Sequence, residues 1–373
     1  MPFAMTQLVG CEFPLFAFSH CRDVVAAVSR AGGFGVLGGS SFTPEQLEQE
    51  LAWIDDHVDG KPYGVDILIP ENQPVSREAS LEELANLIPA QHRDFVRELL
   101  AHNDVEIANE QLTVRRRPTT MPDVGEALME VAFKHPIRLI ANALGIAPPS
   151  MIERGKQHGV PVGALVGAKE HALRQVKAGV DILVAQGGEA GGHCGEVSTL
   201  VLVPEVIRAI KPVREVPVLA AGGIMTGRQM AGCMAMGAAG VWTGSVWLAT
   251  TESETSEIFR EKMVAATSRD TVRSKARTGK PSRQLRSTWH DAWEGPQTPG
   301  ALALPMMGML SQPAFQAIDK AAAAGNPKAR ELVSYFVGQG VGLVDQVRSA
   351  TAVVQSFKEE FAEALGDMIS LAE

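Results

Sequence analysis

Eight short apolar runs, each ending in a glycine or polar turn and most leading into a helix-forming stretch, restrict what this chain can fold into. They are residues 13–18 (FPLFAF), 34–38 (FGVLG), 63–69 (YGVDILI), 137–143 (IRLIANA), 160–166 (VPVGALV), 181–185 (DILVA), 217–221 (PVLAA) and 240–244 (GVWTG). All are rich in β-formers and nearly free of charge, as strands buried on both faces of a parallel sheet must be. Helical patterns lie between them at 22–31, 45–58, 150–158, 169–178 and 227–236. Such alternation builds right-handed βαβ units. Eight units predict an α/β fold, a closed (β/α)8 TIM barrel, with an open doubly wound sheet as the competing architecture.

The 373 residues exceed the about 250 that one such barrel needs. The surplus falls in two places. Residues 76–131, with 11 acidic and 6 basic side chains, read as a helical insertion after the third strand. Residues 251–373 read as a helical C-terminal extension, for example over 313–324 and 345–365. The expected organisation is therefore a barrel over 1–250 that includes the insertion, followed by a cap over 251–373. Both segments either decorate the barrel or lid its C-terminal mouth, where loops of this fold carry the chemistry.

Bulk properties narrow the partners. A net charge of −9 opposes nucleic acid phosphates, and no apolar run reaches the roughly 20 residues that span a bilayer. The start, MPFAMTQLVGCEFP, lacks the layout of a secretory signal. Cys11, Cys21, Cys194 and Cys233 form neither a CxxC pair nor a disulfide framework. A cytoplasmic protein without nucleic acid or membrane partners is expected; oligomerisation is left open.

Two glycine-rich turns suggest a ligand with a phosphate at one end. The seventh run ends in Gly222-Gly223 ahead of a helix, and the eighth runs into Trp242-Thr243-Gly244-Ser245. Glycines there let backbone N–H groups approach a phosphate, and a helix N-terminus adds partial positive charge; barrels of this kind bind phosphate after strands seven and eight. The sixth run ends in Gln186-Gly187-Gly188-Glu189-Ala190-Gly191-Gly192-His193. Its glycines forbid a stable helix and admit a flat ligand close to the backbone. His193, at the catalytic face, suits proton transfer near neutral pH, although a histidine merely satisfied by a neighbouring carbonyl is the commoner case. Glu189 and His193 converge on a metal only if helical, so no metal site is expected.

On AGGFGVLGG (31–39), VAQGGEAGGHCG (184–195), VPVLAAGGI (216–224), GVWTGS (240–245) and, more weakly, GQGVGL (338–343), the chain resembles the nitronate monooxygenase (2-nitropropane dioxygenase) family of FMN enzymes. That family also includes FMN-dependent enoyl-thioester and quinone reductases. The resemblance implies FMN as cofactor and His193 as catalytic base or proton donor beside the flavin. It implies that Gln186, Gly191 and Gly192 lie along the flavin, and that Gly222, Gly223, Trp242, Thr243, Gly244 and Ser245 hold its phosphate. The substrate would be an alkyl nitronate, oxidised with O2 to a carbonyl compound and nitrite. The alternative is an enoyl thioester (CoA or carrier-protein bound) or a quinone, reduced with NAD(P)H.

Two departures bear on the substrate. After the first strand the family has Gln-Ala-Pro-Met, where this chain has Phe16-Ala17-Phe18-Ser19-His20-Cys21; His20 and Cys21 become candidate substrate contacts. Near the end of the third strand the family has a flavin-contacting Asn, where this chain has Asp66. An ionised Asp cannot donate a hydrogen bond as an amide can, so Asp66 is protonated, bound to ribityl hydroxyls, or turned away. Finally, residues 273–286 (RSKARTGKPSRQLR) hold six basic residues and no acid. They form either a solvated face or a site for an anionic partner such as coenzyme A or a nicotinamide nucleotide.

Overall fold

The computed structural model describes residues 2–69, 80–108, 112 and 121–372; positions 76–79, 109–111 and 113–120 of the expected insertion lie outside them. All eight apolar runs form strands: β1 (Leu15–Ser19), β2 (Phe34–Gly38), β3 (Tyr63–Ile67), β4 (Ile140–Asn142), β5 (Val162–Val166), β6 (Ile182–Gln186), β8 (Val218–Ala221) and β9 (Gly240–Thr243). A two-residue strand, β7 (Gly192–His193), intervenes outside the barrel. Neighbours pair in parallel, and the last strand returns to the first through Leu15↔Val241, Phe16↔Trp242 and Ala17↔Thr243. That pairing closes the barrel and rules out the open sheet.

Alternation along each strand divides the apolar residues between two cores. Leu15 and Ala17 face the surrounding helices, whereas Phe16, Phe34, Leu219 and Trp242 fill the interior. The helix Pro2–Val9 adds Met5 and Val9, both fully buried, to that interior cluster.

After β9 the chain runs through the extension, and its last helix, Ala350–Ala372, packs back on the ring helices. There Glu360 accepts from Gly227 N at 2.8 Å, at the start of the helix Gly227–Ala235. Lys358 donates to Ala31 O at 2.8 Å, at the end of the helix Arg22–Arg30. Both contacts match charge to the local helix dipole and clamp the C-terminal helix across two ring helices.

Between these points, residues from the extension join helices of the insertion (Leu81–Asn86 and Ala90–His102) in a second core containing Leu84, Leu100, Trp289, Met307, Leu310 and Phe315. Two segments about 150 residues apart thus share one apolar cluster above the barrel mouth. The extension is not wholly helical: β10 (Thr271–Ser274) and β11 (Ser282–Leu285) form an antiparallel hairpin. β11 also pairs with β7, through Ser282↔His193 and Arg283↔Gly192. The hairpin therefore pins the histidine loop from outside the barrel. Among the described residues, no helix is long and apolar enough to cross a membrane.

Candidate active site

A cavity of ≈1410 Å³ opens at the C-terminal mouth. It is larger than the roughly 300–1,000 Å³ of a usual small-ligand site. Asp66, Gln186, Gly191, Gly192, His193, Gly222, Gly223, Trp242, Thr243, Gly244, Ser245 and His20 all line it. Cys21 does not. It is buried behind the mouth, its thiol donating to Glu252 O at 3.0 Å, which corrects the expectation that it contacts substrate.

Residues 186–193 leave β6 and cross the mouth as a braced loop. Glu189, weighed above as a metal ligand, instead accepts from Thr199 N (2.9 Å) and Thr199 Oγ1 (3.0 Å), anchoring the loop to the helix Thr199–Ile210. Among the described residues there is no cluster fit to hold a metal ion. Arg283 donates twice to Gly188 O, at 2.9 and 2.8 Å.

At the end of this loop, His193 Nε2 lies 2.8 Å from Thr278 Oγ1. The Thr278 hydroxyl donates to Lys280 O at 3.1 Å, so its oxygen accepts from Nε2–H. In that arrangement the proton sits on Nε2 and the Nδ1 lone pair is the available base. Burial, with the positive charge of Lys280 adding to it, pushes the imidazole down to about 4. It is neutral through the physiological range.

The cavity lining carries two further polar groups. Asp66 is 2% exposed and its Oδ2 has no partner; burial raises its carboxyl well above the usual range, which favours the neutral, donating form. Gln186, at the end of β6, has no side-chain partner among the described residues. His20 is held by Gly38 O (2.9 Å) and Ser41 Oγ (3.2 Å), and burial lowers it below the ordinary histidine value.

The two glycine turns are preformed. Gly222 and Gly223 take φ of +107° and +73°, open to glycine at little cost. A Cβ on Gly222 would lie 2.8 Å from Thr199 Oγ1. Gln229 braces the turn by donating to Gly223 O (2.9 Å) and accepting from Met225 N (2.8 Å). The following helix end differs from expectation: Glu360 and Thr226 already satisfy its Gly227 and Gln229 N–H groups, leaving the glycine backbone as the cradle. At the second turn, Trp242 stacks on Phe16 inside the barrel, whereas the Thr243 hydroxyl turns to the helix side, donating to Phe16 O and accepting from Trp247 Nε1, both at 3.0 Å. Ser245 Oγ accepts from Gly338 N at 2.8 Å, and Gln339 N donates to Glu189 O at 2.8 Å. GQGVGL thus closes on both the histidine loop and the second glycine turn. An orphaned acid, a free amide and a glycine cradle fit a ligand with a polar ring edge and a phosphate.

The family model for nitronate monooxygenase matches residues 4–360. This chain belongs to the nitronate monooxygenase family. A Mycobacterium tuberculosis protein named as a monooxygenase is 49% identical over 377 residues, covering 99% of each chain. A Staphylococcus aureus protein named as a nitronate monooxygenase is 30% identical over 295 residues, 75% of this chain and 77% of its own. Among solved structures, the nitroalkane oxidase of Streptomyces ansochromogenes superposes with a TM-score of 0.80 at 26% identity, covering 98% of this chain and 99% of that one. FabK of Thermotoga maritima gives 0.70 at 26%, covering 99% and 98%. The protein is an oxidoreductase.

Two features of this member went unnoticed at sequence level. Thr278 and Arg277 reach the cavity from the turn between β10 and β11. The basic run was visible, but not that it is a hairpin docked on the histidine loop.

Proposed function

We propose that the cavity binds FMN and that the enzyme oxidises alkyl nitronates with O2, releasing a carbonyl compound and nitrite. The observation that carries this reading is the neutral imidazole of His193, held by Thr278, beside a cavity edged by two glycine turns. Gly222, Gly223, Gly244 and Ser245 would hold the phosphate; Gln186 and the protonated Asp66 would meet the ring's polar edge. Gly191 and Gly192 would let the ring lie against backbone, with Trp242 and Thr243 contributing main chain only. FMN, when bound, supplies the electron-accepting chemistry that the side chains lack.

His193 Nδ1 takes the α-proton of a nitroalkane and so generates the nitronate. Thr278 holds the ring in that presentation. A preformed nitronate needs no proton abstraction, so the Nδ1 lone pair has no part in its oxidation. Reduction of an enoyl thioester or quinone with NAD(P)H is the second reading, favoured by a cavity wider than a small nitronate needs.

Nitrite release from ethyl nitronate under air tests the first reading, and His193→Asn should lower release from nitroethane, which needs the base, at least about a hundredfold while keeping flavin. Bleaching by NADPH under anaerobic conditions, without nitrite release in air, would instead establish the reductase.

A further inference from the structure

The six basic residues of 273–286 have different fates. Arg273 pairs with Glu196 at 3.0 Å, Arg283 is committed to Gly188 O, and Arg286 pairs with Asp291 at 2.8 Å. Lys275 and Lys280 are exposed. Arg277 alone is turned inward without a carboxylate within ion-pair distance among the described residues.

Its guanidinium lies 3.8 Å from the centroid of Phe315, with Phe336 at 5.0 Å and Tyr335 at 5.3 Å. One N–H is fixed by Ser334 O at 3.0 Å. A guanidinium carries five N–H donors; the others have no partner among the described residues, and none is sealed away from the cavity that Arg277 lines. Stacking on aromatic faces offsets part of the desolvation of this half-buried cation, but one with no carboxylate in contact remains unfavourable. Desolvation lowers Arg277 to about 10, still charged at neutral pH. Asp319, on the same cavity wall, feels the charge of Arg277 and acts back on it, but burial outweighs this and holds its carboxyl above the usual range, and the two make no ion-pair contact.

Thr278, the next residue, holds the His193 ring. Consecutive Cα atoms are about 3.8 Å apart, so the cation and the positioning group rise from one turn into one cavity.

We propose that Arg277 is an anion subsite of the active cavity, taking a planar two-oxygen anion of the substrate on the guanidinium edge while Phe315 covers the guanidinium face. A planar fork matches such an anion bidentately, which an ammonium cannot do. The anion is either the nitronate group itself or a carboxylate elsewhere on the same molecule. The inference deepens the nitronate reading, yet its first test needs no turnover.

Sodium nitrate, a planar oxyanion, is titrated calorimetrically into the full-length, flavin-saturated protein in a buffer free of other oxyanions. The wild type should bind it, Arg277→Met at least about tenfold more weakly, and Arg277→Lys in between. Equal affinity in wild type and Arg277→Met, or no binding by the wild type, would overturn the subsite. Should the Met variant misfold, phenylglyoxal labelling of the wild type decides: nitrate should slow modification of Arg277, and an unchanged rate refutes the proposal. The KM values of ethyl nitronate and of a carboxylate-bearing nitronate then separate the two sources. If Arg277→Met raises both, the nitronate group is gripped; if only the second rises, the carboxylate is; if neither rises, substrate does not use Arg277. Nitrate binding without nitronate turnover would keep the subsite and remove the nitronate reaction instead.

Discussion

Thr278→Val removes one hydroxyl at nearly constant volume and leaves the His193 Nε2–H without its acceptor at 2.8 Å. A neutral hydrogen bond is worth about 0.5–1.5 kcal/mol net, and a buried donor left unpaired costs about 1–3 kcal/mol. Because Nε2 is where the wild type parks the proton, the variant also loses its preference for the tautomer with Nδ1 free. About 1.4 kcal/mol at the transition state is a tenfold change in rate, so kcat/KM for a neutral nitroalkane should fall about tenfold, chiefly in kcat. The assay is initial nitrite release from about pH 4 to about pH 9, with flavin content checked by absorbance. Thr278→Ser, which retains the oxygen, should recover most of the loss. Preformed nitronate needs no proton abstraction and should be affected less. A Thr278→Val enzyme within about twofold of wild type on nitroalkane at every pH, or a Ser variant as impaired as Val, would refute the positioning role.

Further expectations follow from the same cavity. His193 sits at about 4, so the acid limb of kcat/KM should lie near that value and not near 6.5, and Lys280→Gln, which removes a repelling charge, should move it upward. Between those two values the unfolded chain binds the proton that the folded imidazole refuses, so thermal stability should drop as pH falls through that window; a flat stability profile would contradict the burial argument. Burial raises the Asp66 carboxyl and favours its neutral, donating form. Flavin affinity should therefore fall as pH rises and the acid ionises, whereas Asp66→Asn should bind flavin with a flat alkaline profile in a fluorescence titration. Gly222→Ala places a Cβ 2.8 Å from Thr199 Oγ1 at a φ of +107°. A cost of about 1–3 kcal/mol and weakened flavin retention should appear in thermal melts and in the flavin-to-protein ratio.

The barrel was legible because its strands are buried on both faces, which forces uninterrupted apolar runs such as DILVA and PVLAA. The glycine turns were legible because their backbone, at Gly222-Gly223, excludes other residues on steric grounds. β10 and β11 left no such trace. TVRS and SRQL are short and polar, and their order comes from pairing with each other and with Gly192–His193, about 80 residues earlier. Cys21 was misplaced because a strand end gives a side chain's neighbourhood but not its direction; its thiol turns back to Glu252. Asp66 could not be resolved from sequence because its protonation depends on burial and on an oxygen with no partner. The helix after β8 was expected to face the phosphate, but the distant Glu360 already occupies its end.

The central claim is that these glycine turns, Gln186 and Asp66 together hold a phosphorylated flavin under His193. Equilibrium titration of the purified full-length protein with FMN, followed by absorbance and by quenching of flavin fluorescence, tests it most directly. Saturable binding at one FMN per chain, tighter than riboflavin and weakened by Gly222→Ala, is the predicted result. A protein that stays colourless through the titration, or binds riboflavin as tightly as FMN, would contradict the account.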